Sequence, residues 1–239
     1  MPCTEQPVNS TWFSHTVPCR KAGRRPIPKT GWLLAMHISV VGVVLSGTGQ
    51  AAAQAEPRSG LAAKIAYCKD CHGASAQGYR GYFPIPRLAG QQPEYLENQL
   101  HAFIERRRAN SIMFSVAHVL NPAMVKELAA YFRGLKAKPV GGAPSGQIAA
   151  GRKIFENGVP EANVAACAAC HGPNAVGNGQ IPRLAGQLYP YVVKELTNWS
   201  KERGQIPSKP DPSMIMEPVA HSLTRPQVDA VAAYVSSLD

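Results

Sequence analysis

The sequence predicts an all-α protein built from two tandem copies of one small domain. Four sequence blocks of the first half recur in the same order in the second half, which indicates an internal repeat. Apolar residues recur at helical spacing, as Leu96, Leu100 and Phe103 do, and no run alternates as a strand would. We therefore expect a duplicated helical domain after residue 55.

The repeated blocks set the domain boundaries. They pair residues 67–73 with 166–172, 85–91 with 181–187, 113–120 with 216–223, and 128–132 with 231–235. The second block, Ile-Pro-Arg-Leu-Ala-Gly-Gln, returns unchanged. A stretch rich in Pro and Gly separates the copies, as a linker would. We expect a first domain over residues 56–138, a linker over 139–146 and a second domain over 147–239.

Each half carries matching helix signals. Alanine-rich sequence predicts opening helices over 61–67 and 147–155, and apolar spacing predicts further helices over 94–104 and 191–199. Asn121 directly precedes Pro122, and Thr224 lies two residues before Pro226. A capping residue followed by a proline is typical of the start of a helix. A closing helix is expected after each of them.

The N-terminal segment is typical of an export signal. Five basic residues lie between Arg20 and Lys29, an apolar stretch follows from Trp32 to Leu45, and small residues lead to Ala55. This order predicts a leader over residues 1–55, cleaved after Ala55, and a location in the periplasm. A membrane anchor is the alternative, but the apolar stretch is shorter than the ~20 residues that a span needs.

Four of the six cysteines form two Cys-x-x-Cys-His motifs. Cysteines at this spacing can form thioether bonds to the two vinyl groups of a haem, while the adjacent histidine binds the iron. A four-cysteine zinc site, a thioredoxin-like redox pair and structural disulfides are the alternatives. The repetition of the whole motif in the same context favours two covalent haem c groups, bound by Cys68, Cys71 and His72 and by Cys167, Cys170 and His171.

The sixth iron ligand is expected to be a methionine. Met113 lies 41 residues after His72, and Met216 lies 45 residues after His171. Both occupy the same register within the third repeated block. A thioether opposite a histidine raises the reduction potential of the iron. The repeat register thus nominates Met113 and Met216.

Other ligands remain open at this point. Met124 and Met214 have no counterpart in the other half, although Met214 is a rival to Met216 by distance along the chain. His118 and His221 do repeat, so ligation by two histidines is also an alternative. Five residues beyond the methionines on a helix, these histidines should point away from an iron that the methionines face.

The unchanged second block has an expected supporting role. A histidine that binds a metal usually donates its other ring N–H to a fixed acceptor, and the carbonyl of Pro86 or Pro182 could accept it. Arg87 and Arg183 could pair with haem propionates or lie exposed on the surface.

The charge is unevenly divided. The chain has a net charge of +10; residues 56–139 hold twelve Lys and Arg against six Asp and Glu, whereas residues 140–239 hold eight of each. Arg106, Arg107 and Arg108 form a dense basic run that could dock an acidic partner. Nucleic acid is not expected as a partner, because an exported protein rarely meets it.

From residue 60 onward the chain resembles the dihaem cytochromes c of the cytochrome c4 type, through residues 151–155, 166–173 and 182–187 above all. The resemblance implies a periplasmic electron carrier with two cytochrome c domains face to face and the axial pairs His72 with Met113 and His171 with Met216. Its partners would be redox proteins, such as a cytochrome oxidase, a reductase or a dehydrogenase, and peripheral membrane association is left open. The alternatives are an electron-accepting subunit of a dehydrogenase and a dihaem peroxidase. One departure from the family is the aromatic loop at residues 79–83.

Overall fold

The computed structural model describes residues 55–203 and 212–239, which belong to one compact unit. The predicted leader lies outside this range except for Ala55. No helix in the described part of the chain is long and apolar enough to cross a membrane. The prediction of an all-α fold is confirmed. The helices are α1 Ala55–His72, α2 Pro93–Ile104, α3 Ser111–Ala117, α4 Pro122–Gly134, α5 Ile148–Asn157, α6 Ala168–His171, α7 Tyr189–Thr197, α8 Trp199–Glu202, α9 Met216–Ser222 and α10 Arg225–Ser237.

Short elements join these helices. Within the described residues, three turns of 3₁₀ helix lie at Ser145–Gln147, Pro160–Ala162 and Pro212–Ile215. Two short strands, β1 Tyr79–Arg80 and β2 Pro84–Ile85, form an antiparallel hairpin in which Tyr79 pairs with Ile85. The hairpin is a local departure from the helical prediction, and its first strand and its tip form the aromatic loop noted above.

The closing helices start as the sequence predicts. Asn121 precedes α4, and its side chain accepts a hydrogen bond from the backbone N–H of Met124 at 2.8 Å. Thr224 precedes α10, and its backbone N–H donates to Gln227 Oε1 at 2.8 Å. In both helices a proline follows within the first turn. The N–H groups of the first turn have no hydrogen-bond partner within the helix, so the absence of an N–H on proline costs nothing there.

Each half has its own hydrophobic core. The first core lies against α4, and the second lies where α10 crosses α5. That crossing is close because Gly151 faces the backbone of α10: a Cβ atom there would collide with the carbonyl oxygen of Ala230. The buried members are Ala76, Ala89, Leu96, Leu128, Ala129, Phe132 and Ala137 in the first core and Phe155, Ala175, Ala185, Val192, Val231, Ala232, Tyr234 and Val235 in the second.

Candidate functional site

Two buried histidines occupy equivalent positions in the two halves. His72 ends α1 and His171 ends α6. The Nδ1 of His72 lies 2.8 Å from the carbonyl oxygen of Pro86, and the Nδ1 of His171 lies 2.9 Å from that of Pro182. Because a carbonyl can only accept, each Nδ1 carries the proton and each Nε2 keeps its lone pair. This is the arrangement expected of a histidine prepared to bind a metal.

Burial reinforces this state of the histidines. Desolvation lowers the pKa of both His72 and His171, and the hydrogen bonds to Pro86 and Pro182 oppose that change only in part. The neutral imidazole, which is the form that binds iron, is therefore favoured in both halves.

The loop after each histidine is built in the same way. The N–H of Gly78 donates to the carbonyl of His72 at 2.8 Å, and the N–H of Gly177 donates to that of His171 at 2.9 Å. Ala76 and Ala175 both adopt positive φ angles, of 55° and 54°, and each carbonyl accepts two N–H groups from the following repeated block. Positive φ is uncommon for alanine, so its recurrence marks a backbone held by its surroundings.

No disulfide joins any of the four motif cysteines. Cys68 and Cys167 are half-buried, whereas Cys71 and Cys170 are exposed. Burial raises the pKa of Cys68, and it raises that of Cys167 to about 11. Within residues 55–203 and 212–239, no three His, Cys, Asp or Glu side chains converge as a metal cluster would. The described structure thus offers no support for the four-cysteine zinc site.

The candidate methionines lie at the starts of two short helices. Met113 lies in the first turn of α3, where its N–H donates to Asn110 Oδ1 at 2.9 Å, and Met216 is the first residue of α9. Both side chains are partly buried. By contrast, Met124 packs against the first core and Met214 is 43% exposed. These environments agree with the repeat register, while ligation itself remains a prediction.

The repeated histidines have different surroundings. His118 is exposed, stacks on Phe114 with 5.3 Å between ring centroids, and has its Nδ1 3.1 Å from the carbonyl of Phe114. His221 is also exposed. Neither is buried as His72 is, and this exposure argues against their use as iron ligands.

The two arginines of the repeated block lie between the halves. Arg87 is buried and Arg183 is partly buried; their Nε atoms donate to the carbonyls of Ala89 and Ala185 at 3.0 and 3.1 Å. Burial lowers the pKa of Arg87, and the charge of Arg183 lowers it further. The buried Nη1 of Arg87 has no hydrogen-bond partner among the described residues. An unsatisfied buried guanidinium nitrogen fits a carboxylate supplied from outside the chain, such as a haem propionate.

Two glutamines join the halves reciprocally, and sequence reasoning missed them. Gln187 Oε1 accepts the N–H of Arg87 at 2.8 Å, and its Nε2 donates to the carbonyl of Arg87 at 3.1 Å. Gln91 makes the same pair of bonds to Arg183, at 2.7 and 3.0 Å. Each glutamine is the last residue of the repeated block in its own half, and it binds the backbone of the arginine in the other half. Their recurrence at the end of an unchanged block was the available signal.

A buried ionic network forms a second connection. Arg108 donates to Gln99 Oε1 at 2.7 Å, to the Tyr191 hydroxyl at 2.8 Å and to Glu195 Oε2 at 2.9 Å. Arg203 also donates to Gln99 and to Glu195. Burial raises the pKa of Glu195, but the charges of Arg108, Arg203 and Lys194 outweigh it and hold the pKa at about 2.

This network corrects the docking hypothesis for the basic run. Arg108 is buried on Glu195, and the Arg107 side chain is 10% exposed and bonded to Glu105 and Asn98. Only Arg106 of the three is exposed, and its guanidinium lies over the Phe114 ring at 3.9 Å. The hypothesis of a dense exposed basic patch is wrong, because most of this charge is used inside the molecule.

Comparisons with known proteins agree with this arrangement. The cytochrome c family model matches residues 148–239. The chain is 36% identical to cytochrome c4 of Thiocapsa roseopersicina, over 77% of this chain and 93% of that protein. It is 38% identical to a thiosulfate dehydrogenase electron acceptor of Thiomonas intermedia, over 77% of this chain and 84% of that protein. The structure of Acidithiobacillus ferrooxidans cytochrome c4 matches with a TM-score of 0.62 at 35% identity, covering 72% of this chain and 99% of that one.

Proposed function

Because the chain belongs to the cytochrome c4 type of c-type cytochromes, which carry electrons, we propose that it passes single electrons between redox proteins through two covalently bound haems. One haem would lie in each of the domains over residues 56–138 and 147–239. The observation that carries the proposal is the repeated pair of buried histidines, each with its Nδ1 on a proline carbonyl.

The chain's own residues would hold these groups as follows. The cysteines would form the thioether bonds, His72 and His171 would offer Nε2 to the iron, and Met113 and Met216 would each supply a further ligand. Arg87 would meet a propionate at its buried Nη1. A bound haem supplies an iron that changes between the ferric and ferrous states by one electron. The proline carbonyls would keep the imidazoles oriented through this change.

Two features support a location in the periplasm. Residues 1–55 have the order of an export signal, and Cys-x-x-Cys-His motifs follow it. The expected partners are redox proteins of the same compartment, with a terminal oxidase or reductase as acceptor.

A second role is favoured by one comparison. The relative from Thiomonas intermedia is named as an electron acceptor of thiosulfate dehydrogenase. The present chain could likewise accept electrons from a dehydrogenase. The two roles use the same haem sites and differ only in the partner.

The test of the proposal is the number of covalent haems. Denaturing electrophoresis with haem staining and intact mass should show two haems on the exported chain. Replacing Cys68 and Cys71 with Ala should leave one, as should replacing Cys167 and Cys170. A parent chain with one haem, or haem that acid acetone extracts, would contradict the proposal.

A further inference from the structure

The loop between histidine and proline differs in length between the halves. The hydrogen-bonded residues His72 and Pro86 are 14 positions apart, whereas His171 and Pro182 are 11 apart. In the second half, a tight turn pairs Asn178 with Ile181. In the first half, three additional residues extend the loop into the β1–β2 hairpin. The hairpin is thus an addition to a shared frame.

The tip of this hairpin is aromatic and exposed. Tyr82 is 94% exposed and Phe83 is 76% exposed, and their rings meet edge to face with 4.8 Å between centroids. Tyr79, at the base, is 60% exposed. Large apolar side chains grouped on a surface are typical of a binding site, and aromatic residues often dominate the energy of an interface.

The hairpin is also held in place. Its strands are paired, and Arg80 donates to the carbonyls of Gly141 and Gly142 in the connecting segment at 3.0 and 3.4 Å. The hairpin follows Gly78, which binds the carbonyl of His72, and it ends next to Pro86, which binds His72 Nδ1. A partner that touches the hairpin therefore touches the segment that positions the first histidine.

The groove beside the hairpin carries charged side chains of one sign. It is lined by residues 75, 77–80 and 136–140, and the charged residues in that lining are Arg80, Lys136 and Lys138. None of its lining residues is acidic. Both lysines are exposed. Aromatic side chains beside a cationic groove match a surface with an apolar centre and acidic side chains around it.

We propose that this hairpin face, defined as Tyr79, Tyr82, Phe83, Lys136 and Lys138, docks the acidic face of a redox partner protein. The inference rests on the proposed function and goes further by identifying the first half of the molecule as the side that the partner approaches. In the exchange, a reduced centre of the partner would lose one electron, and a haem bound in the first half through His72 would accept it. No bond is made or broken, and no proton moves.

The experiment uses the exported holoprotein and cytochrome b5, an acidic haem protein, as the probe. Two double variants remove the two parts of the surface: Tyr82→Ser with Phe83→Ser, and Lys136→Glu with Lys138→Glu. The matched control is Lys126→Glu with Lys153→Glu, since both lysines are exposed and the net charge changes equally. Lys126 lies near the start of α4, about 12 Å along the helix from Gly134, its last residue before the groove.

The two hairpin variants should differ in their effects. The charge variant should slow electron transfer from ferrous cytochrome b5 about tenfold at low salt and flatten its salt dependence. The aromatic variant should weaken binding, measured by calorimetry, about tenfold at every salt concentration. The control should match the parent in both measurements.

Several results would overturn the docking proposal. One is an equal effect of the hairpin variants and the control variant, and another is a parent protein that does not bind cytochrome b5 at low salt. A third is a changed haem spectrum in the aromatic variant, which would mean that the hairpin covers the haem instead of docking a partner. Loss of binding to phosphatidylglycerol vesicles with unchanged cytochrome b5 rates would assign the face to a membrane. Loss of a dimer in sedimentation experiments on the variants would assign the face to a second copy of the chain.

The experiment also separates the docking proposal from the proposed function. If the protein does not dock but carries two haems that can be reduced, only the docking proposal is contradicted. If a haem is missing, the proposed electron-carrier function is contradicted.

Discussion

The two halves reach the same histidine geometry through different opening segments. In the first half, α1 runs without a break from Ala55 to His72. In the second half, α5 ends at Asn157 and α6 starts only at Ala168, with a 3₁₀ turn between them. Even so, the bonds from the two histidines to the proline carbonyls differ by only 0.1 Å. The segment before the motif can vary because the loop after it fixes the imidazole.

The halves differ more in what they show to solvent. The first half extends its histidine loop into an exposed aromatic hairpin, while the second closes the same loop with a tight turn. The first half also carries the excess positive charge, which is +6 over residues 56–139, although the charge of Arg108 is paired with Glu195. Duplication has thus kept the interior of the repeat and changed its surface, as expected if the halves meet different partners.

The largest test of equivalence concerns the methionines. Met113→Ala and Met216→Ala should each abolish the methionine-to-ferric-iron absorption band of one haem and lower that haem's reduction potential, because the thioether favours ferrous iron. Optical spectroscopy and redox titration would measure both changes. Met124→Ala, a methionine that packs in the first core, is the control and should keep both bands. Loss of a band in Met214→Ala or His118→Ala would show that the repeat register misassigns a ligand.

Sequence alone predicted what depends on local pattern. The motif histidines, the starts of α4 and α10 and the partner carbonyls of Pro86 and Pro182 all follow from residues close in sequence. The first opening helix, predicted over 61–67, continues to His72 because nothing in the motif breaks it.

The remaining features depend on distant pairings. Arg108 meets Glu195 across 87 positions, and Gln187 meets Arg87 across 100. The spacing of residues along the chain gives no sign of such contacts. For this reason the basic run at residues 106–108 was interpreted as an exposed surface, although Arg108 is buried. The hairpin was noted as aromatic, but its pairing depends on three residues that the other half lacks.

The connection between the halves should be sensitive at Glu195. Glu195→Gln removes the carboxylate between two buried guanidinium groups, which should lower the free energy of unfolding by about 3–5 kcal/mol. Thermal unfolding of the holoprotein followed by circular dichroism would measure it. Glu156→Gln, which alters the exposed pair with Arg152, is the control and should leave the midpoint unchanged. Equal midpoints for the two variants would contradict a stabilising role for the network.

The same carboxylate predicts an acid limit. Its pKa of about 2 in the folded protein lies below the ordinary value of 4.5, so its contribution to stability is present above about pH 4.5 and is lost as the pH falls towards 2. The parent should lose stability across this interval more steeply than Glu195→Gln. Unfolding midpoints measured from pH 5 to pH 2 would check the difference, and parallel curves would contradict the pKa assignment.

The two opening helices should respond differently to one added methyl group. Gly151→Ala places a Cβ in collision with the carbonyl oxygen of Ala230 and should destabilise the second half by about 2–3 kcal/mol. Gly60→Ala is the matched change in α1, where no atom beyond the neighbouring residues and the backbone of the helix itself lies within 4 Å of the added carbon, and it should not destabilise the protein. Thermal unfolding would compare them. Equal effects would mean that α5 and α10 can separate without cost.

The smallest expected effects test the symmetry of the contact between the halves. Gln91→Ala and Gln187→Ala each remove two hydrogen bonds to an arginine of the other half and one to the next residue of their own, at Gln92 and Leu188. Because buried N–H groups then lose their acceptor, each variant should cost about 1–2 kcal/mol. The two costs should agree within about 0.5 kcal/mol, and the double variant should show whether they add. Denaturant unfolding of the holoprotein would measure all three. A clear inequality would show that one half supports the contact more than the other, despite the identical block that both contribute.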